Sequence, residues 1–315
     1  MILVAGCTSG PAWVRKADLP IEVSWLSANV VNGRIYVMGG FDWHTDNQVG
    51  STKVEVYDPV TNTWANKADM LTGRGSLASE VVGGKIYAMG GSPEASFPSI
   101  ATVEAYDPTT DSWSRLTDML EALDGATAIQ VDGKIFVIGG TQFNSLTQER
   151  ISISTVEEYD PETNTWAKKT EMPTPRYTLS SCVINGKIYV IGGMISTFQM
   201  VTPEYATQAV EVYDPRTDTW AKKADMPAPR AGAAAAVLNG KIYVFGGTDI
   251  DFGSATSTIF EYDPNSDAWT TGPDMPFNRL GLTANVIHGK VYIIGGSANS
   301  FLDNTPDLTV WEFTP

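Results

Sequence analysis

Short apolar runs alternate with polar turn segments along the chain, and each run is too short for a helix. Six of these runs have nearly the same sequence, from GRIYVMGG in the first copy to GKVYIIGG in the last. Each ends in a Gly-Gly pair, and the pairs begin at Gly39, Gly90, Gly139, Gly192, Gly246 and Gly295. Short apolar runs bounded by glycine are typical of buried β-strands. The pattern therefore predicts six copies of one buried strand.

A tyrosine and a tryptophan follow the Gly-Gly pairs at regular positions. Five Tyr-Asp-Pro segments begin at Tyr57, Tyr106, Tyr159, Tyr213 and Tyr262, and a tryptophan stands seven residues beyond each tyrosine. The next Gly-Gly pair begins 26 residues after each of these tryptophans. The separation between a Gly-Gly pair and its tyrosine, or Phe313 in the sixth copy, varies from 16 to 21 residues. One loop in each repeat therefore contains all the length variation.

Each repeat contains four predicted strands, which we call a, b, c and d. Strand a is a segment such as SANVV, strand b ends in Gly-Gly, strand c ends in Tyr-Asp-Pro and strand d surrounds the tryptophan. Dipeptides such as Asn32-Gly33 between a and b favour hairpin turns. These residues resemble the Kelch repeat, whose period is about 50 residues. The resemblance covers residues 11–315 and implies an all-β fold, a six-bladed β-propeller of four-stranded blades.

The two ends of the sequence complement each other. The sixth copy ends in Phe313-Thr314-Pro315 and lacks the tryptophan of strand d. Trp13, in AWVRKADLP, stands 26 residues before Gly39 and resembles Trp220 in TWAKKADMP. We therefore expect an N-terminal strand near residues 11–18 to complete the last blade and close the ring. The prediction is a single propeller domain over residues 11–315, with residues 1–10 as a tail outside it.

The tail contains a second resemblance. Val4-Ala5-Gly6-Cys7 resembles the lipobox of bacterial lipoproteins, in which the cysteine is lipidated. Only six residues precede Cys7, and none of them is basic, although a signal peptide has a basic first segment. One interpretation is a truncated lipoprotein signal, with a lipid anchor at Cys7 and a location in the cell envelope or outside the cell. The other is a disordered cytoplasmic tail.

Composition argues against several classes of partner. The chain has 36 acidic and 21 basic residues, a formal net charge of −15 and a pI of about 4.5. Such a charge repels nucleic-acid phosphates and anionic lipid headgroups. No apolar stretch reaches about 18 residues, so we predict no transmembrane segment. Two cysteines and two histidines indicate neither a disulfide framework nor a metal centre, and we predict no cofactor.

The loops between strands b and c are the first candidate for a binding surface. They contain every insertion, and functional residues are commonly carried by variable loops on a rigid scaffold. Each has an aromatic residue, among them Trp43, Phe198 and Tyr205. These side chains are either stacking platforms for sugar rings or peptide side chains, or caps over the ends of the blades.

Four arginines at one repeat position are the second candidate. Sixteen residues before the Gly-Gly pair, the six copies have Val23, Arg74, Leu123, Arg176, Arg230 and Arg279. A ring of guanidinium groups suits a carboxylate or sulfate ligand, because each group offers a forked pair of donors. The alternative is structural, with each arginine donating to loop carbonyls of its own repeat.

Three polar residues in the inner strands are the third candidate. Ten residues before the Gly-Gly pair, Asn285, Asn29 and Glu80 fall on the sixth, first and second blades. A carboxylate at this position is costly unless it is hydrogen-bonded or hydrated. The three residues are either a water-bonded structural network beside the channel or a polar patch in which Glu80 acts as a general acid or base.

Together, these features favour a non-catalytic module that presents a loop face to a protein, peptide or glycan. We identify no pair of catalytic side chains in the sequence and predict no catalytic residue. The alternative is a sugar-active enzyme resembling the Kelch-type sialic acid mutarotases, in which Glu80 and the arginines handle an anionic sugar. That alternative requires a carboxylate and a guanidinium within about 3 Å of one substrate position.

Overall fold

Six four-stranded antiparallel sheets form the molecule, and they follow one another as blades around a central axis. The computed structural model describes residues 11–42, 44–45, 48–95, 98–144, 149–196, 205–249, 254–298 and 305–315. Each inner strand contacts the inner strands of the two neighbouring blades, and the inner strand of the last blade contacts that of the first. The predicted six-bladed β-propeller is therefore confirmed.

The strands of each blade run from the axis outwards in the order a, b, c, d. Blade 1 contains β3 (Ser27–Val31), β4 (Arg34–Met38), β6 (Val54–Asp58) and β7 (Thr63–Asn66). Blade 2 contains β8 (Ala78–Val82), β9 (Lys85–Met89), β10 (Val103–Asp107) and β11 (Ser112–Arg115). Blade 3 contains β12 (Thr127–Val131), β13 (Lys134–Ile138), β16 (Val156–Asp160) and β17 (Thr165–Lys168).

The other three blades have the same order. Blade 4 contains β18 (Ser180–Ile184), β19 (Lys187–Ile191), β22 (Val210–Asp214) and β23 (Thr219–Lys222). Blade 5 contains β24 (Ala234–Leu238), β25 (Lys241–Phe245), β26 (Ile259–Asp263) and β27 (Ala268–Thr271). Blade 6 contains β28 (Thr283–Ile287), β29 (Lys290–Ile294), β30 (Trp311–Thr314) and the N-terminal strand β1 (Ala12–Arg15).

Strand β1 closes the ring as the spacing of the tryptophans predicts. It pairs antiparallel with β30, with Trp13 opposite Phe313. The two rings lie with their centroids 4.6 Å apart. Lys16 and Lys290 form ion pairs with Glu312 at 2.9 and 2.7 Å. Burial raises the pKa of Glu312, but hydrogen bonds from these lysines and from a tyrosine outweigh it and hold the pKa at about 2.

Three short ribbons extend the b–c side of the blades. They are β2 (Val23–Ser24) with β5 (Phe41–Asp42), β14 (Thr141–Asn144) with β15 (Glu149–Ser152), and β20 (Met194–Ile195) with β21 (Tyr205–Ala206). The described residues form no α-helix, and none of them belongs to a helix long and apolar enough to cross a bilayer. The tail, including Cys7, lies outside the described residues, so a lipid anchor at Cys7 stays a prediction.

The hydrophobic core is divided among the interfaces between neighbouring blades. Six apolar clusters each combine residues of two adjacent blades, including the pair formed by blades 6 and 1. Strand b is almost entirely buried because both faces of each sheet pack against a neighbour. This explains why the apolar runs before Gly-Gly are continuous and do not alternate with polar residues.

The regular spacing of tyrosine and tryptophan arises from contacts between blades. The Tyr57 hydroxyl donates to Asn62 Oδ1 at 2.7 Å, which fixes the turn between strands c and d. The Trp64 indole donates to the carbonyl of Ala17 in the preceding blade at 3.0 Å. The Ala17 N–H in turn donates to Asn62 Oδ1 at 2.9 Å. These three bonds explain the constant separation of seven residues, because the turn between tyrosine and tryptophan also docks the preceding blade.

Candidate functional site

All loops of variable length lie on one face of the propeller. The b–c loops and the connections from strand d to the next strand a meet there, and the three short ribbons belong to it. We call this surface the loop face. The opposite face has only the short a–b and c–d turns, such as the turn at Asn32 and Gly33, where φ is +50° and +74°. The predicted separation into a variable and a constant face therefore matches the strand connections.

The b–c loops of blades 1 to 4 are hydrogen-bonded to one another. The Ala95 N–H donates to the carbonyl of Gln48 at 3.2 Å, and Arg150 Nη2 donates to the carbonyl of Ala95 at 2.9 Å. Ser152 Oγ then donates to the carbonyl of Ser196 at 2.9 Å. These contacts join blades 1 to 2, 2 to 3 and 3 to 4 in sequence. We call residues 48–50, 92–95, 149–152 and 194–196 the loop arc.

A buried carboxylate fixes the middle of the loop arc. Asp124, from the connection between blades 2 and 3, is 4% exposed and forms an ion pair with Arg150. Thr141 and Ser99 also donate to Asp124, the latter at 2.8 Å. A buried carboxylate is stable only when such partners compensate for lost hydration. The network therefore holds the arc in one geometry.

A small cavity opens at the centre of the loop face, on the propeller axis. Its volume is about 130 Å³. One residue from each blade forms its rim, and all six have positive φ: Trp25, Ser76, Gly125, Thr178, Gly232 and Gly281. We call this ring the axial mouth. Main-chain N–H groups link successive members to the preceding carbonyl, as from Ser76 to Trp25 at 3.0 Å and from Gly281 to Gly232 at 2.7 Å.

The three predicted aromatic residues have different outcomes. Tyr205 lies on β21, at the edge of the loop face, and is 49% exposed. Trp43 and Phe198 lie outside the described residues. Tyr205 is therefore the described member of this set that is available to a ligand.

The structure places the four arginines in the interior of the blades. Arg74, Arg176 and Arg279 are 0% exposed, and Arg230 is 5% exposed. Arg74 Nη2 forms an ion pair with Glu104 at 2.8 Å, and its Nη1 donates to the carbonyls of Gly90 and Thr102. Buried guanidinium groups with such partners are not available to an external anion.

The remaining arginines follow the same arrangement with different partners. Arg176 pairs with Glu211 at 2.6 Å, and Arg279 pairs with Asp307 at 2.5 Å. The Arg230 guanidinium lies over the ring of Phe260, 4.6 Å from its centroid. These contacts are those of the structural alternative, so we do not carry the arginines forward as ligand groups.

No hydrogen bond within the described residues joins the three polar residues of the inner strands directly to one another. Glu80 accepts hydrogen bonds from the N–H groups of Val81 and Gln130, at 2.7 and 3.3 Å. Asn29 donates to Ser79, whereas Asn285 donates to Thr283 in its own strand at 3.1 Å. Asn29 and Glu80 therefore link their strands to the next blade, whereas the bond of Asn285 stays within its own strand.

Burial has a marked effect on the inner-strand carboxylate. It raises the pKa of Glu80 to about 7, although the two main-chain hydrogen bonds lower it. Among the described residues, no ion pair joins Glu80 to any of the four arginines. Glu80 and the arginines therefore make no direct contact, and each has partners of its own.

The sequence analysis missed a set of buried glutamates in strand c. The second position of this strand is Glu55, Glu104, Glu157 and Glu211 in the first four blades. In blades 2 and 4 the glutamate pairs with the arginine of the same blade. The aligned copies give only a partial signal, since glutamate and arginine occur together in the second and fourth copies and separately in the other four.

Blade 3 departs from this arrangement. Leu123 replaces the arginine, yet Glu157 remains and is 0% exposed. Its Oε2 accepts the Leu120 N–H at 2.9 Å, while its buried Oε1 has no hydrogen-bond partner. Burial raises the pKa of Glu157 to about 7. Glu157 is thus a buried carboxylate without the arginine that Glu104 and Glu211 have, and Glu55 in blade 1, where Val23 takes the arginine position, is another.

Other chemistry-bearing groups give no site within the described ranges. No three or more His, Cys, Asp and Glu side chains there are placed to hold a metal ion. Cys182 is 5% exposed, and burial raises the pKa of its thiol, which makes it unreactive.

The geometry defines the chain as a six-bladed propeller of four-stranded repeats with one variable face. Comparison with protein families agrees. The KLHDC2/KLHL20/DRC7 Kelch-repeats domain matches residues 76–296, and the Kelch motif matches residues 26–71. The chain belongs to the Kelch-repeat family.

Related proteins extend this comparison. Kelch-like protein 25 of Xenopus tropicalis is 32% identical over 237 residues, which cover 74% of this chain and 38% of the relative. Human Kelch-like protein 15 is 30% identical over 242 residues, covering 73% and 39%. The Kelch-like protein terF of Aspergillus terreus is 27% identical over 241 residues, covering 75% and 52%. The chain thus spans about two fifths to one half of the length of these relatives.

A solved structure confirms the architecture. The structure of YjhT superposes with a TM-score of 0.77 and covers 95% of this chain and 97% of its own, at 18% sequence identity. At this identity, the likeness shows the fold alone.

Proposed function

We propose that the chain is a binding module whose loop face recognises an extended peptide or a segment of a partner protein. The observation that carries the proposal is the loop arc, in which the loops of four blades are bonded to one another. Loops that are already held in place lose little conformational freedom when a ligand binds. The arc is therefore suited to recognition without prior rearrangement.

The described apolar side chains of the loop face support a peptide ligand. Val49 and Tyr205 are 41% and 49% exposed, and they belong to the b–c loops of blades 1 and 4, at opposite ends of the arc. Exposed tyrosine is enriched among the residues that dominate binding energies. An extended chain that crosses the face from one end of the arc to the other would contact both.

The other ligand and function classes have less support. Two of the predicted aromatic platforms for a sugar, Trp43 and Phe198, lie outside the described residues. The mutarotase-like alternative relies on the arginines, and these are buried against their own partners. We therefore propose a protein or peptide ligand, and keep a glycan as an arm of the experiment.

The experiment is a selection of phage-displayed random peptides on the 315-residue chain. Selected peptides are then measured against two variants, Tyr205→Ala on the loop face and Val60→Ala on the opposite face, where Val60 is 87% exposed. We expect about a tenfold loss of affinity in the first variant, the size of a moderate interface contact, and none in the second. Hydrogen exchange of the complex should show protection of residues 92–95 and 194–196.

Three results would overturn the proposal. They are the absence of any selected peptide, protection confined to the turns of the opposite face, and affinity lost in Val60→Ala but kept in Tyr205→Ala. A parallel glycan array provides the remaining arm, and binding there without any peptide binding would replace the peptide with a carbohydrate.

A further inference from the structure

Trp25 is the exceptional member of the axial mouth. All six positions have positive φ, from +48° at Thr178 to +64° at Gly281. Glycine adopts this conformation freely, and bulky residues rarely do so. Three positions are glycine and two have the small residues Ser76 and Thr178, whereas Trp25 has φ +54°. A tryptophan at this position is held against its backbone preference.

The conformation at Trp25 follows from the ring of main-chain bonds. The Ser76 N–H donates to the Trp25 carbonyl at 3.0 Å, and each later member of the mouth repeats this bond to the preceding blade. The backbone is therefore set by the propeller, and the choice of side chain is separate. A glycine would satisfy the same bonds at lower strain, so these main-chain bonds do not require an indole at this position.

The indole lies at the mouth of the cavity. It is half-buried, lines the cavity of about 130 Å³, and lies against Gly281, with ring atoms 3.5 Å from the position that a Cβ on Gly281 would occupy. The ring is therefore within van der Waals contact distance of the neighbouring rim position. The cavity has the size of the end of one long side chain, and the indole provides an aromatic face at its edge.

The surroundings of Trp25 are acidic. Strand β2, which ends next to Trp25, pairs with β5 so that Val23 lies opposite Asp42. Glu22 precedes β2, is exposed, and lies 2.6 Å from His44 Nε2. Two carboxylates are therefore carried on the ribbon beside the indole.

Acidic charge extends over the described part of the loop face. Its other described b–c loop carboxylates that are at least partly exposed are Glu94, Asp249 and Asp307. The described basic side chains of these loops, Lys53 and Arg150, form ion pairs with Asp69 and Asp124. With a net charge of −15 on the whole chain, the face attracts cationic ligands.

We propose that the axial mouth binds a cationic side chain, a lysine or arginine of a basic peptide segment, over the indole of Trp25, with Glu22 and Asp42 as the neighbouring anions. Tryptophan is the best of the aromatic side chains at attracting a cation to its ring face. This inference rests on the proposed function and adds the chemistry of the ligand to it. An apolar side chain and a sugar ring are the competing occupants.

The experiment uses capped pentapeptides Ac-Ala-Ala-X-Ala-Ala-NH₂, in which X is arginine, lysine, leucine or glutamate, together with methyl β-galactoside. Binding to the full chain is followed by NMR through the indole N–H of Trp25, which is assigned by its absence from Trp25→Phe. We expect saturable shifts with arginine and lysine and none with the other probes. Added salt should weaken the binding, because the contributing carboxylates are exposed.

Variants distinguish the contribution of the Trp25 side chain to binding from that of the main-chain conformation. Trp25→Gly keeps a residue suited to positive φ, so the ring of main-chain bonds remains, and the arginine peptide should bind about 3- to 30-fold more weakly by amide shifts of the mouth. Asn32→Gly makes the same exchange at a left-handed position at the other end of blade 1, where φ is +50°, and should leave the affinity unchanged. Glu22→Gln should weaken the binding of both cationic peptides.

Several outcomes would overturn the inference. One is equal affinity of the arginine peptide for Trp25→Gly and the unsubstituted chain. Another is stronger binding of the leucine peptide or the galactoside than of the cationic peptides. If phage-selected peptides protect the loop face but lack basic residues and still bind Trp25→Gly, the cationic ligand is refuted while the binding module stands. If no peptide protects the loop face, the proposed function itself fails.

Discussion

Replacing Glu157 with glutamine should stabilise the protein relative to the unsubstituted chain, and this difference should grow as the pH rises. Burial raises the pKa of Glu157 to about 7 in the folded state, against about 4.3 in the unfolded chain. The folded protein therefore holds this proton where the unfolded chain has lost it, and stability falls as the pH rises from about 4.3 to about 7. The neutral Glu157→Gln side chain removes that dependence. Its stability relative to the unsubstituted protein should increase by about 2.5 kcal/mol between pH 5 and pH 8.

The assay is urea unfolding of both proteins at pH 5, 6, 7 and 8, because the difference between them isolates one group. Glu80, whose pKa burial also raises to about 7, is common to both proteins and cancels. The charged neighbours of Glu157 are Glu121, which raises its pKa, and Lys168, which lowers it. A difference in unfolding free energy that stays constant from pH 5 to pH 8 would refute the reasoning.

The matched control is the same substitution one blade earlier. Glu104 has the same position in strand c and is also 0% exposed, but it pairs with Arg74 at 2.8 Å. Glu104→Gln leaves Arg74 as a buried cation without its anion, which costs about 3–5 kcal/mol at every pH in this range. At pH 8, Glu157→Gln should raise the unfolding free energy and Glu104→Gln should lower it. We expect these opposite signs because the presence or absence of the paired arginine decides whether the buried glutamate is charged.

Three further results are expected. Arg176→Met should lower the unfolding free energy in urea by about 3–5 kcal/mol, because Glu211 stays buried without its partner, and a loss below about 1 kcal/mol would contradict the structural role. Gly139→Ala places a Cβ 2.5 Å from the carbonyl oxygen of Arg176, whereas a Cβ at Gly133 meets nothing within 4 Å. Gly139→Ala should therefore lower the melting temperature several times more than Gly133→Ala. Equal shifts in melting temperature would contradict this prediction. Glu312, with a pKa of about 2 in the folded state, stabilises the protein above about pH 4.3 and loses this effect as the pH falls towards 2. Glu312→Gln should thus be less stable by about 2 kcal/mol at pH 7 and no less stable near pH 2, as measured by urea unfolding.

The fold was predictable because the constant spacing of residues in the repeat follows from contacts between neighbouring blades. The distance from Trp13 to Gly39 placed strand β1 in the last blade, and the pairing of Trp13 with Phe313 agrees. Such spacing is constant because the indole of each strand d docks against the preceding blade, as Trp64 does on Ala17. Because this spacing recurs along the whole chain, few arrangements of the strands other than a six-bladed ring are compatible with the sequence.

The candidate site was predictable only in part. The location of the variable loops followed from their lengths, but the bonds that join Ala95, Arg150 and Ser196 into one arc depend on tertiary distances between different repeats. The arginines were placed at one structural level, but their burial was not expected to be complete, because spacing along the chain gives no depth below the surface. The sequence also gave no indication that Trp25 adopts a left-handed conformation, since this follows from main-chain bonds between blades.

In a chain built from six copies of one unit, a residue that recurs in every copy is explained by the packing of blades. The tyrosines, the tryptophans of strand d and the double glycines all have contacts of this kind. A residue found in one copy alone requires a separate cause. Trp25, the one tryptophan of the axial mouth, adds an aromatic ring at the centre of the variable face. Trp25 has a conformation that glycine would adopt with less strain, and a cationic ligand in the axial mouth, as we propose, would give its indole a function.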